Sequence, residues 1–286
     1  MCPRRCNADR ENETGFCKSP EAFRLARAAL HYWEEPCISG ENGSGTVFFS
    51  GCNLRCAYCQ NYEISTENKG KEVSGEQLIS IFESLIEKGA ENINLVNPTH
   101  YALSLAELLK SWKCPVPVVY NTSGYESVET LKALDGLVDI YLTDFKYIRS
   151  DKAARYSKAP DYPEVAKAAL CEMKRQQEKD VFDERGMMKK GVIIRHLILP
   201  SNTNSTLEIL DYLSSEYKDA YISLMAQYTP CGNLASLDEI NRRITRREYE
   251  KVLDYALELG LENVFVQKMS SSDKKFIPAF DFTGIM

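Results

Sequence analysis

Long apolar runs, basic tracts, internal repeats and a dinucleotide-binding glycine fingerprint are all missing from this sequence of 286 residues. Each gap excludes something. The longest apolar stretches are strand-sized, far short of the roughly 20 residues a membrane-spanning helix needs. The N-terminus, Met1-Cys-Pro-Arg-Arg-Cys6, has no apolar core of the kind a signal peptide carries, so a cytoplasmic location is expected. With a net charge of −6 and no long Lys/Arg run, the chain offers no electrostatic grip for nucleic acid or an anionic membrane. No Gly-x-Gly-x-x-Gly follows the first strand candidate, which argues against a dinucleotide-binding sheet.

What the sequence does have is cysteine, ten in all. In a reducing compartment, clustered cysteines read as metal ligands before disulfides. Three fall in Gly51-Cys-Asn-Leu-Arg-Cys-Ala-Tyr-Cys-Gln-Asn61, where Cys52, Cys56 and Cys59 are spaced C-x3-C-x2-C directly after the apolar run Thr46-Val47-Phe48-Phe49. A closed zinc site or an electron-carrying iron–sulfur cluster uses four ligands. Three thiolates on one loop suit a [4Fe–4S] cube with one iron left open to a reacting molecule. The competing readings are zinc with a fourth ligand from elsewhere, in a structural or sensor protein, and three unrelated cysteines.

Residues 1–40 read as a small N-terminal extension and 41–286 as the main domain. Cys2, Cys6 and Cys17 lie among charged residues with too few apolar side chains to pack a core. Either a second metal, zinc or iron–sulfur, orders them, with a fourth ligand such as Cys37, Cys231 or a histidine, or they are surface thiols on a loose segment. Ser19-Pro20-Glu21 carries a helix-start signal and predicts a helix through about Tyr32. From residue 46 the chain alternates. Strand candidates at 46–50, 92–96, 116–120, 138–143, 191–199, 220–226 and 263–267 are separated by amphipathic stretches at 74–88, 101–112, 126–134, 162–178, 203–217 and 245–259. This is an α/β pattern of parallel strands and crossover helices, and about six such units favour a partial (β/α)6 barrel. A surface hairpin is expected around Gly186, and Cys114 and Cys171 read as small buried residues.

Active sites of parallel barrels lie at the C-terminal strand ends, and those segments here are polar: the cysteine loop, Asn97-Pro-Thr-His100, Asn121-Thr-Ser-Gly-Tyr125, Thr143-Asp-Phe-Lys146, Arg195-His196 and Gln227-Tyr-Thr-Pro230. Partnerless buried polar groups cost about 1–3 kcal/mol each, so their gathering points to a polar ligand.

The cysteine triplet, with aromatic Tyr58 before its third cysteine, resembles the signature of the radical S-adenosylmethionine (SAM) enzymes. That resemblance implies that the open iron chelates the amine and carboxylate of SAM, and that reductive cleavage gives a 5′-deoxyadenosyl radical for hydrogen abstraction. It also implies an external electron donor. On that reading Asn97 and Thr99 accept from the SAM amine, Lys146 and Arg195 neutralise its carboxylate, and the backbone near Tyr58 meets adenine. Asp144-Phe-Lys146 and Asn121-Thr-Ser-Gly124 resemble motifs of the pyruvate formate-lyase activating enzymes. By carry-over Asn121, Lys146 and Arg195 contact SAM, and Thr122 with Asp144 lines a monovalent-cation site. Asn121 stands where that branch has an acid, and Asn97-Pro-Thr-His100 where many radical SAM enzymes have Gly-Gly-Glu. Over most of its length, through Cys2-Pro-Arg-Arg-Cys6, Glu34-Glu-Pro36, Phe48-Phe-Ser-Gly-Cys52 and Cys59-Gln-Asn-Tyr-Glu-Ile-Ser65, the sequence is similar to the PflX-like proteins. The resemblance implies an oxidoreductase acting on a glycyl-radical enzyme, or on another peptide or a small molecule.

Overall fold

The computed structural model describes residues 2–232, 234–267 and 278–285. Its centre is a sheet whose strands are β1 (Phe23–His31), β2 (Ser44–Phe49), β3 (Lys71–Val73), β4 (Ile93–Val96), β5 (Val118–Thr122), β6 (Ile140–Asp144), β7 (Val181–Phe182), β8 (Met188–Leu197), β9 (Tyr221–Met225) and β10 (Val264–Val266). The helices are α1 (Pro36–Ser39), α2 (Tyr62–Ser65), α3 (Gly75–Glu87), α4 (Ala102–Ser111), α5 (Val128–Ala133), α6 (Ser150–Ser157), α7 (Tyr162–Gln176), α8 (Thr203–Glu216) and α9 (Arg246–Glu258). The spatial strand order is β10-β9-β8-β6-β5-β4-β2-β1-β3, with β7 paired to β8.

From β2 to β10 along that path every pairing is parallel. Each successive pair of these strands is joined by at least one helix, which gives six crossover units and a partial (β/α) barrel. Strands covered on both faces should be apolar or buried throughout, and all six residues of β2 and all five of β5 are buried. Helix α3 begins with a capping box in which Ser74 and Gln77 exchange hydrogen bonds, and it buries Leu78, Ile81, Phe82 and Leu85, the spacing of one helical face. Thr245 and Glu248 make the same box on α9. The hairpin expected at Gly186 joins β7 to β8, with Gly186 at φ 74°.

One expected helix is a strand. Residues 23–31 form β1, antiparallel to both β2 and β3. Leu, Ala and Arg favour helix by intrinsic propensity, but the open edge of β2 recruits the segment, and pairing outweighs a preference of a few tenths of a kcal/mol per residue. Ser19 serves the loop instead of a cap, its hydroxyl donating to the Ser50 carbonyl at 3.4 Å. Cys171 is exposed and Cys114 only partly covered, so neither is the buried residue expected.

Because β1 runs against β2, pairing His31 with Ser44, it ends beneath the barrel, where the parallel strands begin. The following segment sends Glu34 and Glu35 up into the interior. Glu34 reaches Asn94 of β4 and Asn121 of β5.

Candidate active site

The C-terminal strand ends enclose a cavity of about 330 Å³ whose wall includes the three cysteines of the loop, Tyr58, Asn97, Asn121, Thr122, Asp144, Lys146 and Arg195. The structure thus brings together residues 52 to 195 of the chain, nearly all of the set expected from sequence. Thr99 stands outside the cavity wall. Its hydroxyl donates to the buried carboxylate of Glu126 at 2.5 Å.

The cysteine loop is held tightly. Gly51 has φ 87°, and a Cβ there would meet the Ser19 hydroxyl at 1.9 Å, so only glycine fits. Asn97, itself left-handed at φ 59°, donates from its side chain to the Gly51 carbonyl. Hydrogen-bond donors converge on all three sulfurs. The Leu54 and Arg55 backbone N–H groups point at Cys52 Sγ from 3.3 and 3.5 Å. Ser157 Oγ donates to Cys56 Sγ at 3.0 Å, and the Ser65 side chain serves Cys59. Burial first, and the neighbouring Cys56 second, push the Cys52 thiol up to about 11 and the Cys59 thiol up to about 12. A sulfur ringed by donors is prepared for negative charge, which a bound metal would supply by displacing the proton. The donor set therefore fits an iron–sulfur cluster. Among the described residues no three His, Cys, Asp or Glu groups close around a single ion. A cubane asks for a looser arrangement, since each thiolate takes a different iron.

Opposite the cysteines lies a charged network. Arg195 donates from Nε to Asp144 Oδ1 at 3.0 Å, from Nη1 to Glu34 Oε2 at 3.1 Å and from Nη2 to Asn121 Oδ1 at 2.6 Å. Lys146 Nζ lies 2.5 Å from Asp144 Oδ2. Burial alone would raise the Asp144 carboxyl; Lys146 and Arg195 outweigh it and hold the group below its ordinary value. Burial raises the Glu34 carboxyl, and Arg195 offsets only part of that. All three directions of the Arg195 fork are thus occupied, whereas the Lys146 ammonium pairs with Asp144 and has the Cys56 sulfur within electrostatic reach. For the expected cation pair, the Asp144 oxygens are taken by Lys146 and Arg195, and the Thr122 hydroxyl by Glu126.

Glu34 was not identified as a site residue from sequence. It comes from outside the strand–helix repeat, and only the adjacent acids before Pro36 hinted at it. His196 and His100 serve structure. His196 bridges the Phe145 carbonyl and Thr206 Oγ1 at 2.8 and 3.0 Å, and burial lowers it to about 4. His100 Nε2 sits 2.8 Å from the Ser50 carbonyl and is lowered by burial to about 3.

The N-terminal cysteines lie against this site. Arg4 Nε donates to the Asn53 carbonyl at 2.7 Å and Nη2 to the Ser157 carbonyl at 2.9 Å, while its guanidinium covers the Phe16 ring at 4.0 Å. Arg10 ties Ser19, Pro20 and His100 by their carbonyls. Arginines therefore order the segment. Cys2 Sγ accepts from Asn53 Nδ2 at 3.6 Å, Cys6 Sγ from the Phe16 N–H at 3.4 Å, and the Cys17 carbonyl from the Cys52 N–H at 3.3 Å. Of the two cysteines named as a fourth ligand, Cys37 is buried with Ile140, Leu142 and Ile193, and Cys231 donates to the Tyr58 carbonyl at 3.4 Å.

A parallel barrel with three donor-ringed sulfurs and a polar, charged mouth defines the class of iron–sulfur-dependent (β/α)-barrel enzymes. Residues 46–269 match the Radical SAM superfamily, and the chain belongs to that superfamily, whose members typically use a [4Fe–4S] cluster and SAM. It is 32% identical over 275 residues to the uncharacterized protein MJ0674 of Methanocaldococcus jannaschii, covering 93% of this chain and 76% of that one. In fold it is similar to methylornithine synthase (PylB), with a TM-score of 0.53 and 13% identity over 75% of this chain. The maturase HydG of Carboxydothermus hydrogenoformans is similar too, with a TM-score of 0.50 and 14% identity over 81% of this chain. The chain spans 60% and 56% of those two enzymes. No helix among the described residues is long and apolar enough to cross a membrane.

Proposed function

We propose that this chain reductively cleaves SAM and uses the product to abstract a hydrogen atom from a peptide. The observation that carries the first half is the convergence of donors on Cys52, Cys56 and Cys59 at the wall of a cavity that also holds Lys146 and Arg195. When bound, the cluster that Cys52, Cys56 and Cys59 would hold would supply the electron that splits the sulfonium into methionine and a 5′-deoxyadenosyl radical. The chain's own residues do the rest. Lys146, its ammonium kept charged by Asp144, meets the SAM carboxylate, and Asn97 and Asn121 orient the polar end. Arg195 acts indirectly, fixing Asp144 and Asn121 in place. Tyr58, buried under Tyr156 and Tyr228 at ring separations of 6.1 and 5.9 Å, keeps water from the cysteine loop.

A second pocket, of about 190 Å³, shares His31, Trp33, Phe48 and Pro278 with the main cavity and continues along β1 to Arg27. A trough leading out from the reacting centre supports an extended peptide as substrate, a glycyl-radical enzyme's backbone glycine among the candidates. Reduced enzyme, SAM and candidate glycyl-radical proteins should give the doublet of a glycyl radical in electron paramagnetic resonance. No signal with any native partner removes the glycine reading. Mass spectrometry of treated cell extract then identifies the peptide that changes.

A further inference from the structure

Behind the cysteine loop, the Ser157 hydroxyl that donates to Cys56 is the end of a line of hydroxyl groups. Tyr58 Oη lies 2.8 Å from Tyr147 Oη, Tyr147 Oη lies 2.7 Å from Ser157 Oγ, and Ser157 Oγ lies 3.0 Å from Cys56 Sγ. All four residues are buried. Each hydroxyl carries one hydrogen and can donate once. If Ser157 spends its hydrogen on the sulfur, its own oxygen accepts from Tyr147, and Tyr147 in turn accepts from Tyr58. The whole row then points one way, from Tyr58 to Cys56. Donors in series polarise one another, so the last bond is stronger than an isolated hydroxyl–sulfur contact.

The surroundings fix the row in place. Ser157 closes α6 and its carbonyl accepts from Arg4. The Tyr147 ring packs edge-on against Tyr162 at 5.2 Å, and Tyr162 Oη donates to the Ser123 carbonyl at 2.8 Å.

We propose that Ser157, aligned by Tyr147 and Tyr58, is a positioning residue that sets the reduction potential of the cluster through Cys56. Hydrogen bonds to ligand sulfurs are among the determinants of that potential. A donor to Cys56 stabilises the more negative, reduced state and moves the potential upward, toward the reach of the external donor. The proposal rests on the reading of Cys52, Cys56 and Cys59 as cluster ligands.

The test is a redox titration followed by electron paramagnetic resonance on anaerobically reconstituted protein, with iron content measured on each sample. Ser157→Ala should load the same iron and titrate at a more negative midpoint. Tyr147→Phe, which leaves the serine hydroxyl but removes its alignment, should shift the same way by less, and Ser157→Thr should restore the wild-type value. If Ser157→Ala loads fully with an unchanged midpoint, the proposal is overturned. Should that variant fail to load, Tyr147→Phe decides alone, an unchanged midpoint overturning the proposal and a negative shift supporting it. Failure of the underlying reading shows itself earlier, as wild-type protein that binds no iron, and overturns both.

Discussion

Glu34 Oε2 accepts from Arg195 Nη1 at 3.1 Å, joining a loop that enters the barrel from below to the strand that carries the guanidinium at its mouth. With Asp144 on the other side at 3.0 Å, the arginine is bracketed by two carboxylates, both largely out of solvent. Removing one partner of a buried pair leaves a charge without compensation, at a cost of about 3–5 kcal/mol. Because Asp144 still pairs the guanidinium, Glu34→Ala should lose stability in chemical denaturation, but less than that. Glu34→Gln, which keeps an acceptor for the guanidinium, should lose less. Equal stability of Glu34→Ala and wild type would mean that the bracket holds nothing.

Lys146 is the cation assigned to the SAM carboxylate. Replacing it with methionine keeps the stem and removes a charge-assisted hydrogen bond worth about 1.5–3 kcal/mol. Equilibrium binding of SAM to the loaded protein should weaken roughly 10- to 100-fold, with iron content unchanged. Unaltered affinity would contradict the assignment, and loss of iron would show that Lys146 serves the cysteine loop instead.

Gly124 sits at φ 78°, and a Cβ there would meet the Asp144 carbonyl oxygen at 2.2 Å. Alanine forces both a strained backbone, at about 1–3 kcal/mol, and a shift of the strand end that carries Asp144. Gly124→Ala should therefore lower stability and weaken SAM binding together. A variant that binds as wild type would show that this strand end can move without consequence.

His196 is held neutral by burial, at about 4 against an ordinary 6.5. Below 6.5 the unfolded chain takes up a proton that the folded one refuses, so stability present above that pH is lost as pH falls toward 4. The loss is on the order of 3 kcal/mol for this one group. Denaturation measured at pH 7 and pH 5 should show a smaller difference for His196→Gln than for wild type. Equal differences would place the titrating groups elsewhere.

Much of the barrel was legible because its parallel strands are buried on both faces and so read as plain apolar runs, such as Val118-Val119-Tyr120. The amphipathic stretches expected from residues 74 and 245 begin within a residue of α3 and α9. β1 was not legible, since Leu25, Ala26, Ala28 and Ala29 are helix formers and the edge they repair is visible only in three dimensions. Glu34 escaped for a related reason. A search of the strand ends looks down from the mouth, and this side chain arrives from beneath. The hydroxyl row joins Ser157 to Cys56 across 101 residues, a distance at which serine and tyrosine carry no local signal.

Iron, sulfide and SAM turnover in one anaerobic experiment test the account at its root. Reconstituted wild-type protein, given dithionite and SAM, should release 5′-deoxyadenosine and methionine, and Cys56→Ala should bind little iron and release neither. Intact SAM in the wild-type reaction, or equal product from Cys56→Ala, would contradict the assignment of the three cysteines and the function built on it.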